Sequence, residues 1–224
     1  MTSSRPRVLV ACEYSGRVRD AFIAHGCDAM SCDLLPTESP GPHYQGDVTD
    51  VIDDGWDLMV AFPPCTYLCL SGMHWTTRGL RDPQLTEDAL QFVQLLMAAP
   101  VKRIALENPV GTISKRIRKP DCIIQPWQFG HPESKRTCLW LKDLPVLTPT
   151  DVLPTPPGGR WSNQTPTGQN KLGPSKDRWK ERSKTYLGIA NAMASQWAPI
   201  LLDQVESRLG APALLLNMLE MKAA

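Results

Sequence analysis

The chain has 224 residues, of which 42% are hydrophobic and 21% charged, with 24 Lys and Arg against 23 Asp and Glu. That length sustains one core without staples, and the composition excludes wholesale disorder. No apolar run reaches the length of a membrane span, so a membrane protein is not expected.

"RVLVAC" (Arg7–Cys12) is a β-branched run followed by the turn-like "EYSG". A short apolar run after a basic start reads as a first strand rather than a signal peptide. In "RVRDAFIAHG", Val18, Ala21, Phe22 and His25 fall at helical spacing, and Gly26 closes the helix. "CDAMSCDLL" reads as a second strand ending at Asp33, and "GDVTD" sets Asp47 in a turn. "WDLMVAF" is the next strand. "PQLTEDALQFVQLLMAA" follows as a helix, with Leu85, Ala89, Phe92, Val93 and Leu96 along one face.

"VKRIALENP" is a strand ending in Glu107, Asn108 and Pro109, and "TCLWL" (Thr137–Leu141) is a late strand. Alternating strands and helices predict an open α/β sheet, mostly parallel, with helices on both faces. Ligands of such sheets sit at the carboxyl ends of the strands. Glu13, Asp33, Asp47, Cys65 and Glu107 all fall there.

The periodicity collapses from Leu144 to about Arg182, a stretch rich in Pro, Gly, Thr and Asn. Within it and just beyond, Arg160 to Lys184 holds seven basic residues against two acidic, a net of +5. Such a run is either a solvated loop or a surface for phosphates. "KTYLGIANAMASQWAPILLDQVESRL" is an amphipathic helix returning to the core. The apolar "APALLLNMLEMKAA" after it suits a packing helix or a second subunit equally. The expected organisation is a catalytic α/β domain over 1–143, an irregular segment over 144–183 and a helical return over 184–224.

Seven cysteines at irregular spacing point to reduced thiols in a cytoplasm. Cys65 and Cys69 lack a second CxxC or HxxxH pair, so no metal site is expected. Cys65 itself follows an apolar strand and two prolines in "DLMVAFPPCT". Pro63 and Pro64 stiffen its loop. A nucleophile at a strand end needs such a placement and a buried structural thiol does not, yet taken alone Cys65 also reads as a structural thiol.

"AFPPCT" and "LENPVG", in this order and on strand ends, resemble the DNA cytosine-5 methyltransferases, and most closely their small phage-type members. The resemblance implies a Rossmann-like S-adenosyl-methionine-dependent methyltransferase fold. It implies Cys65 as nucleophile and Glu107 as the residue holding the target base. "WQFGHPESKRTCLWL" resembles the segment carrying a Gln and two Arg. Glu133 stands in the Gln position and Lys135 in the first Arg position. Thr137 takes the second, unless Arg136 substitutes by a local shift.

"VACEYSGRVRDAF" corresponds to the glycine-rich cofactor loop, of whose glycines Gly16 remains. The resemblance implies cofactor contacts from Cys12, Glu13, Tyr14, Ser15 and Gly16, from Asp33 to the ribose, and from Asp47 and Val48 near the adenine. Pro63 and, in "YLGIANAM", Asn191 complete that set. Thr66 stands where the family has Gln.

The implied reaction is methyl transfer from S-adenosyl-methionine to C5 of cytosine through a Cys65–C6 adduct. Carboxymethyl transfer from carboxy-S-adenosyl-methionine is the close variant, and no metal is implied. Arg17 and Arg19 either pair with the added carboxylate or are solvated helix residues. The implied partner is DNA, double- or single-stranded, in the cytoplasm of a bacterial host if the chain is phage-encoded. Trp161 or Trp179 either stacks on a base or packs on the core. Two other readings stand beside this one: the same chemistry on a free pyrimidine nucleotide, and a non-catalytic nucleic-acid binder. Strong salt dependence on long DNA separates the first two.

Overall fold

The computed structural model describes residues 5–168, 170–173 and 175–222, with side chains described except at 71, 72 and from 208 onward. Seven strands form one sheet in the order β3-β2-β1-β4-β5-β7-β6. They are β1 (Arg7–Ala11), β2 (Asp28–Asp33), β3 (His43–Gln45), β4 (Leu58–Ala61), β5 (Arg103–Pro109), β6 (Cys122–Ile124) and β7 (Thr137–Lys142). The β3-β2-β1-β4-β5 pairs are all parallel, and β7 runs antiparallel to both β5 and β6. This is a Rossmann-like α/β fold, as the alternation of strands and helices predicts.

Residues 8–11 of β1 and 58–61 of β4 are apolar without interruption because both faces of the sheet are covered. Val8, Val10, Leu58 and Val60 face one cluster, with Phe22 of α1 (Arg17–Ala24) and Met193 and Trp197 of α6 (Leu187–Lys222). Leu9, Ala11, Met59 and Ala61 face the other, with Leu90, Val93 and Leu96 of α3 (Gln84–Ala98). The odd–even split along β1 and β4 is the two-residue period of a strand.

Several local expectations need correction. His25 caps α1 and is exposed rather than on its buried face. The buried face of α3 is turned toward Leu90, and Leu85 is left exposed. The short strands β3 and β6 carry no period that could have announced them. Neither do α2 (Leu70–Thr77) and α4 (Ile113–Arg116). Part of the irregular stretch is helical, as α5 (Arg178–Ser183). The side chains of the C-terminal "APALLLNMLEMKAA" lie outside the described residues.

β1 leads rightward through the sheet to β4 and leftward to β2, so the order reverses between β1 and β4. At such a switch point the loops leaving the two strands diverge and open a crevice at their carboxyl ends. The loops in question are Cys12–Gly16 and Phe62–Cys65.

Candidate active site

The loop after β4 is tied down on three sides. Phe62 N–H donates to the Ala11 carbonyl at 2.9 Å, which extends the β1–β4 ladder one residue. Pro63, fixed in φ by its ring, is buried, and its carbonyl accepts a 2.8 Å hydrogen bond from Asn108 Nδ2 at the end of β5. After Cys65 the chain closes a turn, with Leu68 N–H and Cys69 N–H both donating to the Cys65 carbonyl at 3.0 and 2.9 Å. Cys69 in turn bridges Gly111, and Thr112 N–H donates to the Leu68 carbonyl. Gly111 allows that approach, since a Cβ there would lie 2.0 Å from the Leu68 oxygen.

Cys65 is half-buried, and its thiol hydrogen-bonds the Cys69 thiol. That bond, then burial, then the charges of Cys69 and Glu107 push the Cys65 thiol above the usual thiol range, while Lys135 opposes them. Glu107 comes from the adjacent strand β5. Burial raises its carboxyl above the ordinary carboxylate range, against the Lys135 ammonium and a hydrogen bond from the Thr137 side chain. A carboxyl so placed holds its proton more readily than one in water.

Lys135 and Thr137 reach Glu107 because β7 is antiparallel. The register pairs Glu107 with Leu139 and Pro109 with Thr137, so the start of β7 lies beside the end of β5. Lys135 Nζ also donates to the Arg182 carbonyl at 3.0 Å. Arg136 is exposed, and the cation bearing on both Cys65 and Glu107 is Lys135. Glu133, in the Gln position, accepts a hydrogen bond from the Tyr186 hydroxyl. Phe62, Glu107, Lys135, Thr137, Tyr186 and Ile189 enclose a cavity of about 10 Å³, room for one water.

Cys69, Asn108 and Tyr186 belong to this cluster, although sequence reasoning gave none of them a site role; Thr137, set in the second Arg position, belongs to it as well. "CTYLC" at a spacing of four was the available sign for Cys69. Tyr186 had no sign short of knowing where α6 begins.

On the other side of the switch point, Cys12 adopts a left-handed conformation (φ 58°) and is half-buried. Glu13 is buried. Its Oε1 accepts from the Ser15 hydroxyl and, at 3.5 Å, from Val18 N–H in the first turn of α1; its Oε2 is buried without a partner. Burial leads in raising its carboxyl. Gly16 precedes α1 at φ 76°, where a Cβ would meet Arg19 and Ser39. Tyr14 is buried and its hydroxyl donates to the Lys180 carbonyl at 2.7 Å. Arg17 donates to the Thr185 carbonyl at 2.8 Å, and Lys184 pairs with Glu38 at 2.9 Å. The basic segment is therefore fastened over the β1–α1 loop.

Asp33 ends β2 half-buried and accepts from Leu35 N–H. Asp47 is exposed, and the N–H and hydroxyl of Thr49 lower its carboxyl below the usual range. Val48 is a core residue packed among Val51 and Ile52, and Asn191 is exposed on α6.

Of the two arginines near this loop, Arg19 is neither solvated nor open to a ligand carboxylate, and Arg17 is half-buried. Arg19 is fully buried and donates to the Ser31 hydroxyl and to the carbonyls of Ser39 and Pro40; Arg17 is held by Thr185. Trp161 is buried and stacks on Trp127, with ring centroids 5.6 Å apart and 4° between planes, whereas Trp179 is 54% exposed. Among the described residues no three His, Cys, Asp or Glu are grouped to hold a metal, and no helix is long and apolar enough to cross a membrane.

No family model and no curated protein matches the chain. Among solved structures, a methyltransferase of Entamoeba histolytica aligns with 66% of the chain at 15% identity and a TM-score of 0.45. The aligned part spans 58% of that protein's length.

Proposed function

We propose that the protein transfers a methyl group from S-adenosyl-methionine to C5 of cytosine in DNA, with Cys65 as nucleophile. One observation carries this reading. Cys65 and Glu107, far apart in sequence, meet at the carboxyl ends of neighbouring parallel strands, with Lys135 bearing on both.

The side chains suit the cofactor as far as donors and acceptors go. Acids stand at the end of β2 (Asp33) and just past β3 (Asp47), groups of the kind that would accept from the cofactor's hydroxyl and amino groups. The partnerless buried oxygen of Glu13 is an acceptor that a cationic or N–H group would satisfy. When bound, the cofactor supplies an electrophilic methyl on its sulfonium.

C5 of cytosine is a weak nucleophile, and adding a thiolate at C6 moves electron density onto it. A protonated Glu107 can donate to N3 while its carbonyl oxygen accepts from the 4-amino group. That pairing draws electrons from the ring and opens C6 to Cys65. Lys135 stabilises the thiolate that the Cys69 bond, burial and Glu107 disfavour. Once C5 is substituted, its proton leaves, the S–C6 bond breaks, and Cys65 is restored.

A pyrimidine ring far exceeds the present cavity, so its lining must open for a base to enter. The Lys135 bond to the Arg182 carbonyl ties one of those lining residues to the basic segment. A base in duplex DNA must also be flipped out of its stack.

The test is expression of the protein and its Cys65→Ala variant in cells lacking cytosine methylation, with the DNA digested to nucleosides and weighed. A heavier deoxycytidine made only by the wild type supports the reading, and its mass names the group. Unmodified DNA beside a modified free nucleotide moves the reaction to nucleotides. Modification by neither protein overturns it.

A further inference from the structure

Cys69 has no part in the chemistry above, yet the fold holds its thiol against that of Cys65. The Cys65 carbonyl accepts from Cys69 N–H at 2.9 Å, closing one helix-like turn. One such turn separates the Cα atoms by about 6 Å, within a disulfide's Cα span, and the Cβ atoms by about 5–6 Å, so the bond closes when the turn tightens. The two thiols are already hydrogen-bonded, both residues are half-buried, and both are reduced. The bridge to Gly111 and the Leu68–Thr112 bond fix the far end of the turn. The prolines and Asn108 fix its near end.

We propose that Cys65 and Cys69 form a reversible disulfide, a redox modification site that removes the Cys65 thiol from use under hydroperoxide. The Cys65 thiolate attacks the terminal oxygen of the hydroperoxide. The O–O bond breaks, and water or an alcohol leaves, giving Cys65 sulfenic acid. Cys69 sulfur then attacks the Cys65 sulfur; the S–S bond forms, the S–O bond breaks, and hydroxide departs with the Cys69 proton as water. Two thiols lose two electrons and the peroxide gains them. A neighbouring thiol intercepts the sulfenic acid before it oxidises further, and a reducing thiol restores the pair. The existence of the link is independent of the proposed function; its effect on activity rests on that reading.

The sequence makes the link easy to see. No Lys or Arg lies between Arg19 and Arg78, so trypsin leaves both cysteines on one fragment, and chymotrypsin then cuts after Tyr67, between them. The full-length protein is treated with a small excess of hydrogen peroxide, its remaining thiols are alkylated, and it is digested without reductant. The expected result is Asp57–Tyr67 joined to Leu68–Trp75, released by dithiothreitol. DNA modification is expected to fall more than tenfold on oxidation and to return with dithiothreitol. In Cys69→Ser, or in Cys69→Ala should the serine variant fail to fold, Cys65 is expected to proceed to sulfinic acid that dithiothreitol does not reverse. Cys65 recovered as sulfinic acid in the wild type, or linked to any other cysteine, overturns the proposal. So does a Cys12–Cys32 link in place of this one. A Cys65–Cys69 link in a protein whose reduced form leaves DNA unmodified upholds the disulfide and overturns the methyl-transfer reading alone.

Discussion

The side-chain amide of Asn108, at the end of β5, donates a 2.8 Å hydrogen bond to the carbonyl of Pro63, two residues before Cys65. Proline offers no N–H, so that carbonyl is the loop's point of attachment to the neighbouring strand. Asn108 is 1% exposed, and nothing replaces the bond when the amide is removed. Asn108→Ala is expected to cost about 1–3 kcal/mol through the orphaned carbonyl, seen as a lower Tm. Alkylation of Cys65 by iodoacetamide is expected to change in rate, because the loop then samples other positions. An unchanged Cys65 rate beside a lowered Tm would confine Asn108 to stability.

Glu107 should trade stability for function. Its carboxyl is raised in the fold, chiefly by burial. The folded state therefore binds more protons than the unfolded chain between the two pKa values, and stability falls as pH rises through that window. Below the unfolded value of about 4.3 the group is neutral in both states and carries no penalty. Glu107→Gln, neutral at every pH, is thus expected to raise Tm at pH 7 while abolishing transfer. Its advantage over the wild type should shrink toward zero as the pH is lowered to about 4. Thermal melts of both proteins across that range check the sign.

Why some of this was legible in the sequence follows from where each contact comes from. "VLVA" (8–11) and "LMVA" (58–61) read as strands because a parallel sheet covered on both faces leaves no polar position in them. β3 and β6 are three residues each, at the two edges of the sheet, and have too few positions to show a period. Cys65 and Glu107 were readable because they mark strand ends beside prolines. Thr137 and Lys135 reach Glu107 through the antiparallel β5–β7 register, which no local pattern encodes. Arg19 misled for a similar reason. An arginine on a short helix is ordinarily solvated, but here the loop over residues 37–42 folds back and offers it carbonyls.

Gly111 tests whether the far side of the Cys65 turn matters. A methyl group there would sit 2.0 Å from the Leu68 carbonyl oxygen, which is itself held by Thr112 N–H. Backbone cannot swing aside as a side-chain end can. Gly111→Ala is expected to destabilise by about 1–3 kcal/mol, the ordinary cost of overpacking. It should also pull Cys69 away from Cys65 and so slow disulfide formation under peroxide. Gly158→Ala is the control for Cβ crowding, because a Cβ at that position has no atom within 4 Å. Gly158 has a positive φ of 79°, so its own effect measures backbone strain without a clash.

The two tryptophans of the basic stretch should separate cleanly. Trp161 is buried against Trp127 in a stacked pair, so Trp161→Ala is expected to destabilise the fold by about 3–5 kcal/mol, the cost usual for a large core truncation, seen as a lower Tm. Trp179 stands exposed on α5 beside Lys180, whose ammonium lies 5.7 Å from its ring centroid. Its removal should leave Tm unchanged. If the segment meets DNA, Trp179→Ala should weaken binding to single-stranded oligonucleotides by about 1–3 kcal/mol, the worth of one base stacked on an aromatic ring. Arg178→Ala and Arg182→Ala should act differently, reducing the slope of log affinity against log salt by about one phosphate contact each. Fluorescence titrations of the three variants at several salt concentrations read both quantities. A Trp179→Ala protein that binds as the wild type does would remove the stacking role and leave the segment's charge as its contribution.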